Sequence, residues 1–138
     1  MVLDTDVVVA ALRSPTGASA ALLLAALDRR VTLVASVPLV IEYEAVCGLA
    51  EHQQAAGVSA VDAQVFLDGL AVLIESVETH FLWRPRLRDP ADEMVLEAAV
   101  NGRADVLVTF NLRDYGSIPL QFGIKVLRPN DALRSITP

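Results

Sequence analysis

The sequence is short of several residue types, and each shortage excludes a class of protein. Cys47 is the only cysteine among 138 residues, so the chain forms no internal disulfide, has no cysteine cluster for zinc, and fits a reducing compartment. No basic region precedes an apolar segment at the N-terminus, which argues against a signal peptide. The longest apolar runs are interrupted by Pro15, Gly17 and Pro38, so none supplies the roughly 20 continuous apolar residues of a membrane span. We therefore expect a cytoplasmic protein without a membrane partner.

Positive charge and aromatic side chains are also scarce. The formal net charge is -6, which argues against a general nucleic-acid coat protein because such proteins are basic. An acidic chain can still be a nuclease, since bound cations reverse the local field of an acidic cleft. Aromatic residues make up 5% of the sequence, and no stacking platform for RNA bases is evident among them.

Apolar residues are abundant, at 54% of the chain, and they form strand-like runs that alternate with helical segments. The runs "VLDTDVVVAAL", "RVTLVAS", "ADVLVTF" and "GIKVLRP" are expected as buried strands, and "ETHFLW" as a weaker strand. The segments "ASAALLLAALDRR", "SVPLVIEYEAVCGLAEHQQAAG", "SAVDAQVFLDGLAVLIESV", "DPADEMVLEAAVNG" and "PNDALRSI" are expected as helices. This alternation predicts one α/β domain over residues 1–138, with three layers and a mostly parallel sheet of about five strands flanked by helices.

Two helix boundaries have specific signals. Ser59 is followed three residues later by Asp62, which is the pattern of a capping box. Pro90 and the acidic residues beside it predict the start of a helix, and Gly102 predicts its end.

Acidic residues occur where parallel sheets gather functional groups. Asp4 and Asp6 interrupt the first apolar run, where an unpaired carboxylate is costly. Side chains at i and i+2 of a strand share a face, so both are expected to point toward one site. Glu42 lies in the first turns of the helix after the second strand, Asp92 at the start of the helix before "ADVLVTF", and Asp114 just after that strand. Carboxylates that share a site repel one another, and Mg²⁺ or Mn²⁺ is the natural counter-ion for such a group.

Each acid taken alone also has an ordinary explanation, such as an N-cap, a first-turn acid or a solvated helix residue. Asp92 is four residues before Leu96 and is expected to border the buried side of its helix, with Glu93 turned toward Asp89. His52 and His80 have no ligand partner at a useful spacing and are expected at the surface.

The segments "VLDTDVVVAALRSPTGASAALL", "SVPLVIEYEAV", "RDPADEMVLEAAVNGRADVLVTFNLRDY" and "GIKVLRP", in that order, resemble the PIN-domain family. Within it, the sequence is most similar to the prokaryotic toxin components of toxin–antitoxin pairs. The resemblance implies a metal-dependent ribonuclease with Mg²⁺ or Mn²⁺ as cofactor and RNA as substrate. It also implies a homodimer and a small cognate antitoxin protein as partners, and the apolar runs "AALLLAAL" and "FLDGLAVLI" fit burial at such interfaces.

Residue by residue, the resemblance implies that four catalytic acids hold the metal, namely Asp4, Glu42, Asp92 and Asp114. It implies supporting roles for Thr5, Asp6, Thr109 and Asn111. Asn111 occupies a position where many relatives have an Asp, and it would serve as a neutral ligand or orient a water molecule.

Asp6 departs from the family pattern, in which an Asn is usual. It either strengthens cation binding or pairs with Arg13, and the sequence leaves both open. The candidates for binding flanking phosphates are Arg13, Arg88 and Arg113.

Two other functions remain open from the sequence. "VLDTDVV" also resembles the opening of haloacid-dehalogenase-type phosphatases, in which Asp4 would be the nucleophile and Asp6 the general acid/base. That reaction needs a lysine ahead of the last acidic pair, whereas Lys125 follows every such pair. Alternatively, the departures at Asp6 and Asn111 would leave a degenerate PIN domain that acts only as a binding module.

Overall fold

The computed structural model describes residues 1–79 and 86–136. Its strands are β1 (Val2–Leu3), β2 (Leu33–Ser36), β3 (Ile74–Val77), β4 (Val106–Val108) and β5 (Lys125–Leu127). The pairs β1–β4, β4–β5 and β2–β3 are all parallel. The two ladders adjoin where the Val34 N–H donates to the Met1 carbonyl at 2.9 Å, which gives the order β3-β2-β1-β4-β5. The predicted α/β architecture with a parallel sheet of about five strands is confirmed.

Helices flank this sheet. They are α1 (Thr5–Arg13), α2 (Ala18–Leu27), α3 (Val37–Cys47), α4 (Ala50–Ala56), α5 (Ala60–Leu73), α6 (Pro90–Asn101), α7 (Leu112–Tyr115) and α8 (Pro129–Ile136), with a short 3₁₀ helix at Pro119–Phe122. The predicted capping box at the start of α5 is confirmed, because Ser59 and Asp62 exchange side-chain-to-backbone hydrogen bonds. The predicted boundaries of α6 are confirmed as well, with Pro90 in its first turn and Gly102 as its C-cap.

The prediction of one long strand over "VLDTDVVVAAL" is wrong. β1 ends at Leu3, Asp4 is the N-cap of the next helix, and α1 begins at Thr5. Val7 and its two valine neighbours are buried inside this helix. Their β-branched side chains favour a strand, but packing of α1 against α2 and α3 overrides that propensity. Asp6 therefore lies in the first turn of a helix, and the expected strand face shared by the two acids does not exist.

Two further boundaries differ from the prediction. The segment "SVPLVIEYEAVCGLAEHQQAAG" forms two helices, because α3 ends at Gly48 and α4 starts after Leu49. The residues "IESV", expected at the end of a helix, form β3, whose backbone groups pair with those of β2. In "ETHFLW", Glu78 and Thr79 belong to no strand, and the rest of that predicted strand, with His80, lies outside the described residues.

The core is centred on the middle strands and the helices that cover them. Val2 and Leu107, paired across β1 and β4, are fully buried, as are Leu39 of α3 and Leu96 of α6. Cys47 is buried, as expected for a structural thiol. No single helix in residues 1–79 and 86–136 is long and apolar enough to cross a membrane, and only two sharply bent helix pairs have the combined length and composition.

Candidate functional site

The segments that carry the candidate acids meet at one edge of the sheet. β1 and β4 are parallel neighbours, so the residues that follow them, Asp4 and Thr109, leave the sheet at the same edge. α6 leads into β4 and therefore starts near that edge, which places Asp92 of its first turn there. α7, which carries Asp114, follows three residues after β4. The topology thus brings acids from three distant parts of the chain toward one place.

Asp4 is buried, with 8% of its surface exposed. Its side chain does not cap α1. Instead, Oδ2 accepts hydrogen bonds from the hydroxyls of Thr109 at 2.8 Å and Tyr115 at 2.9 Å, and both donors are fully buried. The backbone N–H of Asp4 donates to Val108 at 2.8 Å, which fixes the residue against the end of β4. Hydrogen bonds to a charged oxygen are the strong kind, so this carboxylate is held in one orientation.

Tyr115 also reaches Asp92, and its hydroxyl therefore lies between two of the acids. The pKa of Asp92 is raised to about 6, first by burial and then by the negative charges of Asp4, Asp89 and Asp114, while the hydrogen bond with Tyr115 lowers it. Asp4, Asp92 and Asp114 are thus close enough to act on one another electrostatically. The sequence analysis missed Tyr115, whose signal was a hydroxyl directly after the acid in "TFNLRDY".

Glu42 lies on α3 and is half-buried. The next residue, Tyr43, donates its hydroxyl to the carbonyl of Leu3 at the end of β1, which holds this part of α3 against the chain just before Asp4. Within the described ranges, no hydrogen bond or ion pair connects the Glu42 side chain to Asp4, Asp92 or Asp114. The place of Glu42 among the catalytic acids stays a prediction.

Asp6 holds the segment that follows β4. Its Oδ2 accepts from the Phe110 N–H at 3.1 Å, from Asn111 Nδ2 at 3.1 Å and from the Thr109 hydroxyl at 3.4 Å. Its Oδ1 is buried without a hydrogen-bond partner among the described residues. Burial, followed by the charge of Asp4, raises the pKa of Asp6 to about 6. Asp6 is therefore a further acid beside the group.

In the described part of the chain, Asp6 does not form the ion pair with Arg13 that the sequence left open. Neither side chain forms an ion pair with any residue in the described part of the chain. Both line one groove, together with Thr5 at the start of α1. The side-chain N–H group of Asn111 donates to Asp6. Its amide oxygen is therefore the side-chain atom that remains to bind another group.

Glu93 is the buried acid of α6, with 8% exposed, so the expectation that it turns toward Asp89 is wrong. Its Oε2 accepts from the backbone N–H groups of Arg86 at 3.1 Å and Leu87 at 2.8 Å. The chain before α6 folds back over the helix and covers this position, whereas Asp92 stays half-buried. The spacing of apolar residues along a helix describes that helix alone, so it does not predict that a neighbouring segment buries Glu93.

An open cleft of about 520 Å³ lies beside the acids. It is lined by Asp92 and Asp114 and by three exposed arginines, Arg86, Arg88 and Arg113. Arg13 lines a different groove. The structure therefore places two of the three predicted phosphate-binding arginines next to the acidic group and separates the third from them.

The oxygen donors fit a hard divalent cation in an open site. None of Asp4, Asp6, Asp92 and Asp114 has a basic side chain at ion-pair distance among the described residues, so their mutual repulsion lacks a protein counter-charge. Within residues 1–79 and 86–136, no three or more Asp, Glu, His or Cys side chains lie close enough together to enclose an ion. Mg²⁺ usually keeps several waters and binds through one or two carboxylates. The arrangement suits such an ion better than one held in an all-protein cage.

Comparison with known proteins adds one result. A family model described as "PIN domain" matches residues 1–113, which is most of the chain and includes Asp4, Glu42 and Asp92. No curated protein and no solved structure matches the sequence significantly. Domains of the matched family are in general nucleases that use divalent metal ions.

Proposed function

This chain belongs to the PIN-domain family, and from that premise we propose that it is a Mg²⁺- or Mn²⁺-dependent endoribonuclease. The observation that supports the proposal most is the position of Asp4, whose carboxylate accepts from the Tyr115 hydroxyl at 2.9 Å and lies near enough to Asp92 to raise its pKa, although these acids are far apart in the sequence. We propose Asp4, Glu42, Asp92 and Asp114 as the catalytic acids and metal ligands of one domain over residues 1–138. Thr5, Asp6, Thr109 and Asn111 support them.

The residues of the chain divide the work of phosphodiester hydrolysis. Asp4, Glu42, Asp92 and Asp114 would supply carboxylate oxygens to the ion. When bound, the ion lowers the pKa of a water molecule and offsets negative charge on the reacting phosphate. Thr109 fixes the Asp4 carboxylate by its 2.8 Å hydrogen bond.

The arginines of the cleft act on the substrate and not on the ion. Arg88 and Arg113 line the cleft beside the acids, and guanidinium groups bind phosphate oxygens in a fixed fork geometry. They would hold the phosphates that flank the scissile bond. Arg13, in its separate groove, would bind the RNA further from the reacting phosphate.

We further propose that the protein is the toxin of a toxin–antitoxin pair and forms a homodimer. Leu24 and Leu27 of α2 are more than half exposed, as are Val61, Val65 and Val72 of α5. Apolar side chains concentrated on neighbouring helices favour burial against a second copy or a partner protein. Light scattering at micromolar concentration should give the mass of a dimer, and a monomer would contradict this part of the proposal.

The decisive test is Asp4→Asn in a ribonuclease assay with Mn²⁺. Asn keeps the size of the side chain, and its amide oxygen can still accept from Thr109 and Tyr115, so the fold should survive while cleavage is lost. The matched control is Asp28→Asn, which changes an exposed acid at the end of α2 and should cleave like the wild type. The products should carry a 5′-phosphate and a 3′-hydroxyl. Cleavage by the pure, folded Asp4→Asn protein would refute the assignment.

Two assays on the wild type distinguish the other functions. Hydrolysis of a phosphomonoester with Mg²⁺, without cleavage of RNA, would establish the phosphatase alternative. Absence of calorimetric heat on titration with Mn²⁺, or heat that persists in both Asp4→Asn and Asp92→Asn, would establish a degenerate binding module.

A further inference from the structure

Phe110 is an exposed aromatic residue directly beside the acidic group. It follows Thr109, and its backbone N–H donates to Asp6 at 3.1 Å, so its position is fixed relative to the acids. Its exposed fraction is 45%. Phe110 also lines two grooves, of about 570 Å³ and 270 Å³, and therefore lies between them.

The larger groove has apolar walls beside polar side chains. Val9 of α1 and Val46 of α3 line it together with Phe110. Asp6 and His52 line it as well, and His52, expected at the surface, has only 20% of its side chain exposed. Such a lining suits a ligand with an apolar face and a polar edge.

Each groove also has an arginine. Arg13 lines the larger groove and Arg128 the smaller one. Both are exposed, and neither forms an ion pair with another residue in the part of the chain that the structure describes. An aromatic side chain with cationic side chains near it is the combination by which proteins hold single-stranded nucleic acid.

We propose that Phe110 is a stacking platform for an unpaired base of single-stranded RNA, and that the larger groove receives this base. Val9 and Val46 would contact the base, while Arg13 and Arg128 would bind the phosphates on either side. The inference rests on the proposed function, because it places this base next to the phosphate that the acids would hydrolyse.

A protein segment fits the same groove less well. Asp6, Val9, Val46 and His52 all lie on helices, so the groove offers no strand edge to which an extended peptide could add. An amphipathic helix would lay apolar side chains along the groove and leave Arg13 and Arg128 without anionic partners. The phosphates that flank an unpaired base supply those partners while the base stacks on Phe110.

The test is fluorescence anisotropy with a fluorescein-labelled single-stranded RNA of 12 nucleotides and a fully paired hairpin, in EDTA so that nothing is cleaved. Phe110→Ala keeps the backbone N–H that Asp6 binds, and it should weaken binding of the single strand by roughly five-fold or more. Phe110→Trp restores a stacking face and should bind within about two-fold of the wild type. Leu120→Ala, which shortens another exposed apolar side chain (69% exposed), is the matched control and should bind like the wild type.

Three results would overturn the inference. They are equal binding by Phe110→Ala and Leu120→Ala, no preference of the wild type for the single strand over the hairpin, and no binding of either RNA. Loss of self-association in Phe110→Ala with RNA binding intact would identify the groove as a protein interface instead. A cleavage assay with Mn²⁺ on the same proteins keeps the two proposals separate. Cleavage that is independent of Phe110 leaves the proposed function intact, whereas stacking without any cleavage refutes that function alone.

Discussion

Replacing Tyr115 with Phe removes one hydroxyl from the centre of the acidic group. That hydroxyl donates to Asp4 Oδ2 at 2.9 Å and lies close enough to Asp92 to lower the pKa of that carboxyl group. The ring is fully buried, and Phe fills the same space, so the substitution leaves no cavity in the core. Its effects therefore report the hydrogen bond between the tyrosine and the carboxylates.

The expected loss of stability follows from the charge of the acceptor. A hydrogen bond to a charged group contributes about 1.5–3 kcal/mol. Unfolding entropy is about 2.1 cal/mol/K per residue, which for 138 residues is about 0.3 kcal/mol/K. The Tm of Tyr115→Phe should therefore fall by about 5–10 °C at neutral pH without metal.

Tyr43→Phe is the matched control for this experiment. Tyr43 is also buried, but its hydroxyl donates to the neutral carbonyl of Leu3, a bond that contributes about 0.5–1.5 kcal/mol. Its Tm should fall by about 2–5 °C. Calorimetric titration with Mn²⁺ should show affinity about ten-fold weaker in Tyr115→Phe, because groups that orient a ligand affect metal binding by that order, and unchanged affinity in Tyr43→Phe. Equal loss of Tm and of Mn²⁺ affinity in both variants would refute the special position of Tyr115.

Two further predictions concern charge and packing. Asp6 and Asp92 both have pKa values raised from 3.8 to about 6, so the stabilisation from their protonated forms is complete below about pH 4 and is lost as the pH rises through 6. The Tm of the metal-free protein should thus fall from pH 4 to pH 7. Mn²⁺ should reverse the fall at pH 7, and Asp6→Asn should flatten the profile, with a gain at pH 7 of about 1 kcal/mol after solvent screening. A flat wild-type profile would contradict these pKa shifts. Gly102→Ala should destabilise the fold by about 1–3 kcal/mol in urea denaturation, because a Cβ there would lie 3.0 Å from Val77 Cγ2 and 2.9 Å from the Ala98 carbonyl oxygen; Gly69→Ala, whose Cβ meets nothing within 4 Å, is its control.

Elements with local signals were predicted well from the sequence. α5 begins, and α6 begins and ends, where the capping residues indicated, because those bonds form between residues two to four apart. The start of α1 was predicted wrongly because it depends on contacts between residues that are distant in the sequence. Its valines are buried by contact with α2 and α3, and that tertiary packing is invisible to a count of β-branched residues.

The site was predicted in part for the same reason. The alternation of strands and helices placed Asp92 and Asp114 beside the end of "ADVLVTF", whereas Asp4 was expected partway along a strand and follows directly after its end. Tyr115 and Phe110 were missed, because their roles depend on contacts across about 100 residues of chain. The role of Glu42 likewise depends on the orientation of its side chain on α3, which the sequence pattern does not specify.

Glu93, in the first turn of α6, connects the arginine side of the cleft to its acidic side. It is adjacent to Asp92 in the chain, and its Oε2 ties down the backbone at Arg86 and Leu87, immediately before Arg88. The segment 86–92 therefore has a fixed length between its anchor and the acid. Surface connections normally tolerate added or deleted residues, but a change of one residue in this segment would shift the cationic side of the cleft relative to the anionic side. Variation in length among related chains should consequently avoid this segment.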